Sequence, residues 1–196
     1  ERFKKFMGCI FIGLPIWYCI GILITFSPEF AKEIGISGTV SAGNAVMFSY
    51  IGLAVGDLIS GFSSQLVKSR KKIVSIFIVL TLIFVVYYLF QPSDSVQMFY
   101  VACFLVGVGI GYWALFVTIA AEQFGTNLRS TVATTVPNVI RGTVVPLTLL
   151  FGLLREHLGI IYGALAIGLM TIVVAFIALR AIDETYGRDM NFEEID

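Results

Sequence analysis

The sequence has few charged residues and almost no histidine. Of its 196 residues, 13% are charged and one, His157, is a histidine in a short connection. Soluble globular domains carry about 25% charged residues. The sequence also contains no HExxH or Gly-x-Ser-x-Gly motif, no paired carboxylates and no clustered histidines. These absences argue against an enzyme, and we expect no cofactor, no metal ion and no nucleic-acid partner.

Cysteine is also scarce, and its three positions form no recognisable site. Cys9, Cys19 and Cys103 make no CxxC pair, and each lies within an apolar run. We interpret them as small buried hydrophobic residues and not as a disulfide framework or a metal site. What the chain does have is apolar side chains, with 58% hydrophobic residues and a mean hydropathy of +0.92. Soluble domains are about 45–50% apolar, so this composition predicts an integral, multi-pass membrane protein.

Six apolar segments are long enough to cross the bilayer core, which is ~30 Å thick and requires about 20 helical residues. They are predicted at 6–27, 42–64, 73–91, 97–121, 131–154 and 160–181, and residues 183–196 form a tail. The predicted fold class is therefore an all-α membrane protein with six transmembrane helices. The first segment is not a signal peptide, because its apolar run is too long and lacks a small-residue cleavage site. Since the chain does not begin with Met, we expect it to be a piece of a larger protein.

Basic residues are distributed unequally between the two sides of these segments. With the N-terminus in the cytoplasm, ten basic residues lie on the cytoplasmic side and two outside. The ten are Arg2, Lys4, Lys5, Lys68, Arg70, Lys71, Lys72, Arg129, Arg180 and Arg188, and the two are Lys32 and Arg155. This excess predicts cytoplasmic N- and C-termini, in a plasma membrane or an inner membrane. The remaining basic residue, Arg141, lies inside a segment.

The character of the segments repeats after three. Segments 1 and 4 are rich in glycine and aromatic residues, segments 2 and 5 each carry one ionisable residue, Asp57 or Arg141, and segments 3 and 6 are aliphatic. Because three is an odd number, the second triplet would be inverted relative to the first, as in many secondary carriers. The alternative is a coincidence among six apolar helices.

Two stretches at the predicted cytoplasmic side resemble loop motifs of the major facilitator superfamily. GFSSQLVKSRKK, residues 61–72, resembles the Gly-x-x-x-Asp-x-x-Gly-Arg-Arg/Lys loop in the degenerate form that follows the eighth helix. Gln65 stands where that motif has its acid, and the basic cluster is shifted by one residue. The candidate motif residues in this chain are Gly61, Gln65, Lys68, Arg70 and Lys71. A simpler interpretation of the cluster is a positive anchor at the membrane surface.

Two further stretches extend the resemblance to the end of the chain. AEQFGTNLRS, residues 121–130, is similar to the Glu-x-x-x-x-x-x-Arg signature after the tenth helix, which makes Glu122 and Arg129 candidates for a cytoplasmic ion pair. DETYGRDMNFEE, residues 183–194, resembles the tail that follows the twelfth helix in sugar-porter-like members. The resemblance implies the C-terminal six-helix half of a twelve-helix transporter, whose partner is the N-terminal six-helix half.

In that fold the first helix of each triplet lines the central pathway and the second lines the interface between the halves. The resemblance therefore makes the aromatic pairs of segments 1 and 4 candidate pathway residues, namely Trp17, Tyr18, Tyr112 and Trp113. Aromatic pairs in the middle of a helix are also common in packing. Pro15 precedes the first pair and is predicted to break its helix locally, which would expose carbonyl groups.

Segment 2 carries a stripe of small residues at three- and four-residue steps: Ala45, Ser49, Gly52, Gly56, Ser60 and Ser63. Such a stripe predicts the close approach of another helix, which we expect in the missing half. Segment 4 has a small-xxx-small spacing of its own at Gly107 and Gly111. Gly61 is expected to allow close backbone approach at a helix end. Asp57 lies about 100° around the helix from Gly56, and either a structural hydrogen bond or a gating and protonation role would account for it.

Arg141 carries a charge that it cannot readily lose. With Thr134, Asn138 and Thr148 it forms a polar stripe, broken by Val145, on one face of segment 5. At a rise of 1.5 Å per residue, it lies ~15 Å from the cytoplasmic end, too deep to reach the interface comfortably. Its partner could be Asp57, a carboxylate in the missing half, an anionic substrate bound in two-point fashion, or water and carbonyl groups.

Together these features predict secondary active or facilitative transport of a small polar solute by alternating access. The sugar-porter-like tail suggests a sugar or polyol, whereas Arg141 suggests an organic anion, and a proton or another ion could be coupled. The alternative is a non-transporting six-helix membrane receptor or scaffold, against which the polar stripe on segment 5 argues.

Overall fold

The computed structural model describes residues 2–188 and residue 191, so the predicted tail lies partly outside the described residues. Its helices are α1 (Arg2–Ile12), α2 (Leu14–Tyr18), a π-helix (Cys19–Ile24), α3 (Ser27–Ile34), α4 (Ala42–Val67), α5 (Arg70–Leu89), α6 (Val96–Gly109), α7 (Trp113–Glu122), α8 (Thr126–Gly142) and α9 (Val144–Ala181). The described chain is thus all-helical, apart from one isolated bridge between Ser37 and Ser95.

Five stretches of the described chain are long and apolar enough to cross a membrane. The last of them, Thr126–Ala181, is 56 residues long and contains both the fifth and the sixth predicted segments. The two are separated within α9 at Gly159, whose φ of 79° and ψ of 169° are not helical. The chain folds back there, since a Cβ on Gly163 would lie 3.2 Å from the backbone nitrogen of Arg155. A positive φ favours glycine at such a turn.

Three of the predicted segments are broken near their middle. The first is interrupted at Gly13, where the N–H of Ile16 donates to the Gly13 carbonyl at 3.1 Å. Pro15 has no N–H group to continue the regular bonding, so the break predicted near Pro15 is present. The fourth segment is interrupted at 110–112, and the fifth at the junction of α8 and α9. Each interruption releases backbone groups that need other partners.

The small-residue stripe of α4 packs against α6 within this chain. A Cβ on Gly52 would lie 2.1 Å from the Phe104 carbonyl oxygen, and a Cβ on Gly107 would lie 2.0 Å from that of Ser49. The expectation that the partner helix belongs to a missing half is therefore wrong for this stripe. The physical reason is that the small residues of segment 4 provide the matching surface, so the two helices touch through their backbones.

Three buried tyrosines connect the helices through their hydroxyl groups. Each hydroxyl donates to a backbone carbonyl more than 60 residues away: Tyr18 to Ala164 at 2.7 Å, Tyr88 to Leu23 at 2.8 Å, and Tyr112 to Ile12 at 3.1 Å. The Ile12 carbonyl lies beside the break at Gly13, where the Ile16 N–H bonds Gly13 instead. The bundle thus satisfies a backbone group that the interruption releases.

Both ends of the described chain lie at the same end of the bundle. Lys5 in α1 lies 4.0 Å from the Asp183 carboxylate, and the Lys71 ammonium donates to the Ile182 carbonyl at 2.5 Å. The connection between α4 and α5 is therefore at this end as well. At the opposite end, Arg155 pairs with Glu29 at 3.1 Å.

Candidate functional site

A small open cavity brings together three of the predicted pathway residues, Trp17, Trp113 and Arg141. It has a volume of about 210 Å³ and is lined by Ile16, Trp17, Ile20, Tyr50, Leu53, Trp113 and Arg141. The wall lies beside the breaks in segments 1, 4 and 5, because Trp17 lies four residues after Gly13, Trp113 begins α7 and Arg141 lies in the last turn of α8. The cavity is mainly aromatic and aliphatic, with one permanent positive charge.

The guanidinium of Arg141 packs over an aromatic ring. Its central carbon lies 5.2 Å from the centroid of the Trp17 ring, which is within the range of a cation–π interaction. The side chain is exposed, and no carboxylate among residues 2–188 forms an ion pair with it. The charge is therefore held in place by an indole ring while its donors stay available to a partner.

The two tryptophans of the cavity contact each other. Their ring centroids are 5.9 Å apart with an interplanar angle of 78°, an edge-to-face arrangement. Trp113 also packs against Phe116, with centroids 5.5 Å apart. The Trp17 indole N–H is buried and has no hydrogen-bond partner in the described part of the chain. A buried donor without a partner is costly.

The polar stripe beside Arg141 is exposed but partly self-satisfied. The Thr134 hydroxyl donates to the Ser130 and Thr131 carbonyls at 3.1 and 3.0 Å, and the Asn138 amide donates to the Thr134 carbonyl at 2.9 Å. Both side chains are exposed on the same helix as Arg141, although neither lines the cavity. They extend a polar track along α8.

Two predicted pathway residues, Tyr18 and Tyr112, lie inside the bundle. Both are fully buried, and their hydroxyls are occupied by the backbone bonds described above. Consecutive helical residues point about 100° apart, so Trp17 faces the cavity while Tyr18 faces the core. Tyr112 lies in the interruption before α7, which separates its direction from that of Trp113. Sequence reasoning also missed Tyr50, which lines the cavity from α4. Its place beside the small-residue stripe was the available signal.

Asp57 stabilises the start of α7. Its carboxylate accepts a hydrogen bond from the backbone N–H of Ala114 at 3.0 Å, in the first turn of that helix. A carboxylate is favourable there because the first N–H groups of a helix lack partners inside it. The structure therefore favours the structural interpretation of Asp57, and the direct salt bridge to Arg141 is not formed.

Only part of the predicted loop motif lies outside a helix. Gly61 and Gln65 lie within α4, which continues to Val67, and Lys68 ends the helix with a φ of 54°. The expected close backbone approach at Gly61 is wrong, because a Cβ there would have no atom within 4 Å. Gln65 and Lys68 are exposed.

The ion pair of Glu122 is formed with Arg70. Their side chains meet at 2.6 Å and are 11% and 15% exposed, respectively, so the pair is largely shielded from water. The signature suggested that Glu122 pairs with Arg129, and the structure corrects this prediction. Arg129 lies beyond the turn after α7 and donates to the Phe124 carbonyl at 3.4 Å, whereas α5 begins beside the end of α7.

Glu184 joins the start of α5 to the end of the described chain, and sequence reasoning did not single it out. Its carboxylate accepts from the Ser69 hydroxyl and from the backbone N–H groups of Arg70 at 3.0 Å, Lys71 at 3.2 Å and Tyr186 at 3.1 Å. Partial burial opposes ionisation, but these hydrogen bonds outweigh it and hold the pKa of Glu184 below its usual value. The resemblance of residues 183–194 to a transporter tail was the signal that could have identified it.

Comparison with known proteins identifies the family of this chain. The sequence model of the Major Facilitator Superfamily matches residues 2–142 of this chain. This range includes every residue that lines the cavity. No curated protein matches the sequence. In the described residues, no group of three or more His, Cys, Asp or Glu side chains could hold a metal ion. The chain is an integral membrane protein that belongs to the Major Facilitator Superfamily, a family of membrane transporters.

Proposed function

We propose that this chain is the C-terminal six-helix half of a transporter that moves a small polar solute by alternating access. The observation that carries the proposal is the exposed guanidinium of Arg141, held against Trp17 at the edge of a cavity that Trp113 also lines. A permanent charge inside a membrane protein normally meets water, an opposite charge or a substrate. A cavity of about 210 Å³ between broken helices is a suitable place for part of a substrate.

The chemistry of the cavity favours an organic anion over a sugar or polyol. Arginine can bind a carboxylate or phosphate through two parallel hydrogen bonds, and the exposed Arg141 forms no ion pair with the described carboxylates. Asp57, one of the partners that the sequence left open for Arg141, is engaged by Ala114. The aromatic walls suit the apolar part of such an anion. A proton or another ion is a candidate for the coupled species.

The proposal includes a second body that completes the pathway. Alternating access requires two bundles that rock around a site between them, and an N-terminal six-helix half would supply the second. Val145, Leu149 and Leu153 follow the cavity on α9 and are 61% to 68% exposed, which suits contact with that half or with lipid. We propose that the six helices form two inverted repeats of three. The ten-to-two distribution of basic residues supports a topology with both termini in the cytoplasm.

Transport measurements on Arg141 variants test this proposal in the full-length transporter. Arg141→Lys keeps the charge but loses the planar two-point geometry, so uptake of an organic anion should fall while membrane insertion is unchanged. Arg141→Met should abolish uptake. Arg155→Met is the matched control, because Arg155 pairs with Glu29 away from the cavity. Full transport by a well-folded Arg141→Met protein would remove Arg141 from the site.

The half-transporter proposal and the receptor or scaffold alternative can be told apart. If the chain is one half of a transporter, these 196 residues alone should fold as a bundle and should not carry out coupled transport, because the second body is absent. Saturable uptake into sealed vesicles by a demonstrated monomer would show that no second half is needed. Normal signalling or assembly with no transport by the full-length protein would favour the receptor or scaffold.

A further inference from the structure

A lateral groove runs between α1 and the last turns of α9, away from the transport cavity. Its α1 wall is formed by Phe3, Met7 and Phe11, at helical steps of four, and its α9 wall by Val174, Ile177 and Ala181. The groove has a volume of about 410 Å³. The α1 wall covers eight residue steps and the α9 wall seven, or about 12 Å and about 10 Å at 1.5 Å per residue. Each length is most of the depth of one leaflet of a bilayer core ~30 Å thick.

The floor and the rims of the groove have different characters. The floor is shallow where the helices come together, because a Cβ on Gly8 would lie 3.0 Å from the Ile182 side chain. The rims are apolar and face outward, since Phe3 is 73% exposed and Ile177 is 65% exposed. Such a surface is open to the hydrocarbon region and could hold an extended acyl chain along its length.

One cation, Lys4, lines the groove at the end where both chain ends meet. Lys4 is exposed and forms no ion pair with the described residues, whereas its neighbour Lys5 lies 4.0 Å from Asp183. Among residues 2–188, no acidic side chain lines the groove. The positive-inside distribution puts this end at the cytoplasmic leaflet, which carries the anionic lipids. The charge and the shape of the groove therefore indicate the same kind of occupant.

We propose that this groove is a binding site for an anionic phospholipid of the cytoplasmic leaflet. One acyl chain lies between the two walls, and the headgroup phosphate interacts with the Lys4 ammonium. The apolar contact fixes the chain, and the single charge selects anionic over zwitterionic headgroups. The lipid would thereby bridge α1, which leads into the helix that carries Trp17, and the end of α9. The inference is independent of the transported solute.

Lipid titration of the purified chain in detergent tests the site, with thermal shift and native mass spectrometry as readouts. The probes are short-chain phosphatidylglycerol, phosphatidylcholine with the same chains, and glycerol 3-phosphate without chains. We expect phosphatidylglycerol to bind most tightly and glycerol 3-phosphate not to bind. Lys4→Gln should weaken phosphatidylglycerol about fivefold, as expected for one lysine near an anionic headgroup, and leave phosphatidylcholine unchanged.

Two further variants separate the groove from the rest of the surface. Ala181→Trp fills the groove from an exposed position, so it should abolish binding of both lipids. Lys72→Gln is the matched control, because Lys72 is also exposed but does not line the groove. Unchanged lipid binding in Ala181→Trp or unchanged phosphatidylglycerol affinity in Lys4→Gln would overturn the proposal. Tight binding of glycerol 3-phosphate, or conversion of a dimer to a monomer by Ala181→Trp, would also overturn it, since the occupant would then be a headgroup alone or a second copy.

Discussion

The contact between α4 and α6 predicts that two glycines of α4, Gly56 and Gly61, respond differently to substitution by alanine. A Cβ added at Gly56 would lie 2.4 Å from the Val108 carbonyl oxygen and 2.8 Å from the Gly111 Cα. The first distance is about 1 Å short of the 3.4 Å at which ordinary contacts begin, and the obstructing atoms are backbone. Gly56→Ala must therefore push the two helices apart. Overpacking of this kind costs about 1–3 kcal/mol.

Gly61 provides the matched control in the same helix. It is also helical, but a Cβ there would meet no atom within 4 Å. Gly61→Ala should stabilise the protein by up to about 1 kcal/mol, because alanine has the higher helix propensity. The two variants should thus differ by about 1–4 kcal/mol, or roughly 2–16 °C in unfolding midpoint on the scaling of chains of this size.

Thermal unfolding of the purified chain in one detergent measures this difference directly. We expect Gly56→Ala to unfold below the unmodified chain and Gly61→Ala at or above it. Equal midpoints for the two variants would show that α4 and α6 do not touch through their backbones, and the argument from the small-residue stripe would then fail.

Two of the remaining predictions concern the end of the bundle where both chain ends meet, and the third concerns the topology of the chain in the membrane. Glu184→Gln should lower stability by about 1 kcal/mol at pH 7, the size of a helix-cap loss. Because the pKa of Glu184 is below its usual value in the folded state, its contribution is complete above pH ~4.5 and is lost as the pH falls through the folded pKa. The unfolding midpoints of variant and unmodified chain should converge in acid, and a constant difference would contradict the role of the charge. In a double-mutant cycle of unfolding free energies, Glu122→Gln and Arg70→Gln should couple by about 1–3 kcal/mol, whereas a coupling near zero would show that the pair contributes nothing. Cysteines at Lys68 and Ser93 should react with an impermeant reagent from opposite sides of a sealed membrane, the first from the cytoplasm, while the buried native cysteines stay unlabelled. Labelling of both from one side would refute the proposed topology.

The sequence patterns predicted the positions of the helices along the chain better than they predicted which helices pack together. Apolar length identified stretches that are helical in the described chain, and Pro15 marked a real break because proline cannot donate the required N–H. The stripes on α4 and α6 each indicated a close helix contact. To match one stripe to the other, the relative position of the two helices along their axes must be known. The sequence pattern of a single helix does not contain that information.

The candidate site shows the same limit at the level of single side chains. Trp17 and Tyr18 are adjacent in sequence, yet one borders the cavity and the other is buried. Their directions depend on how the helix is rotated, which the packing of the bundle decides. Likewise, Glu122 pairs with Arg70, 52 residues away, and not with the arginine of its own motif. Proximity in sequence was a poor guide because the start of α5 lies beside the end of α7.

The hydrogen bonds of Tyr18, Tyr88 and Tyr112 make the bundle unequally tolerant of substitution. Each donor is a particular hydroxyl, so a change to phenylalanine leaves a buried carbonyl without its partner, at a cost of about 1–3 kcal/mol. Each acceptor is main chain, and every amino acid supplies a carbonyl there. The positions that accept the bonds are buried, so they can vary among apolar side chains of suitable size without loosening the connection. In a saturation library, the three tyrosine positions should be restrictive for the hydroxyl, while their partners should be restrictive for apolar character and volume.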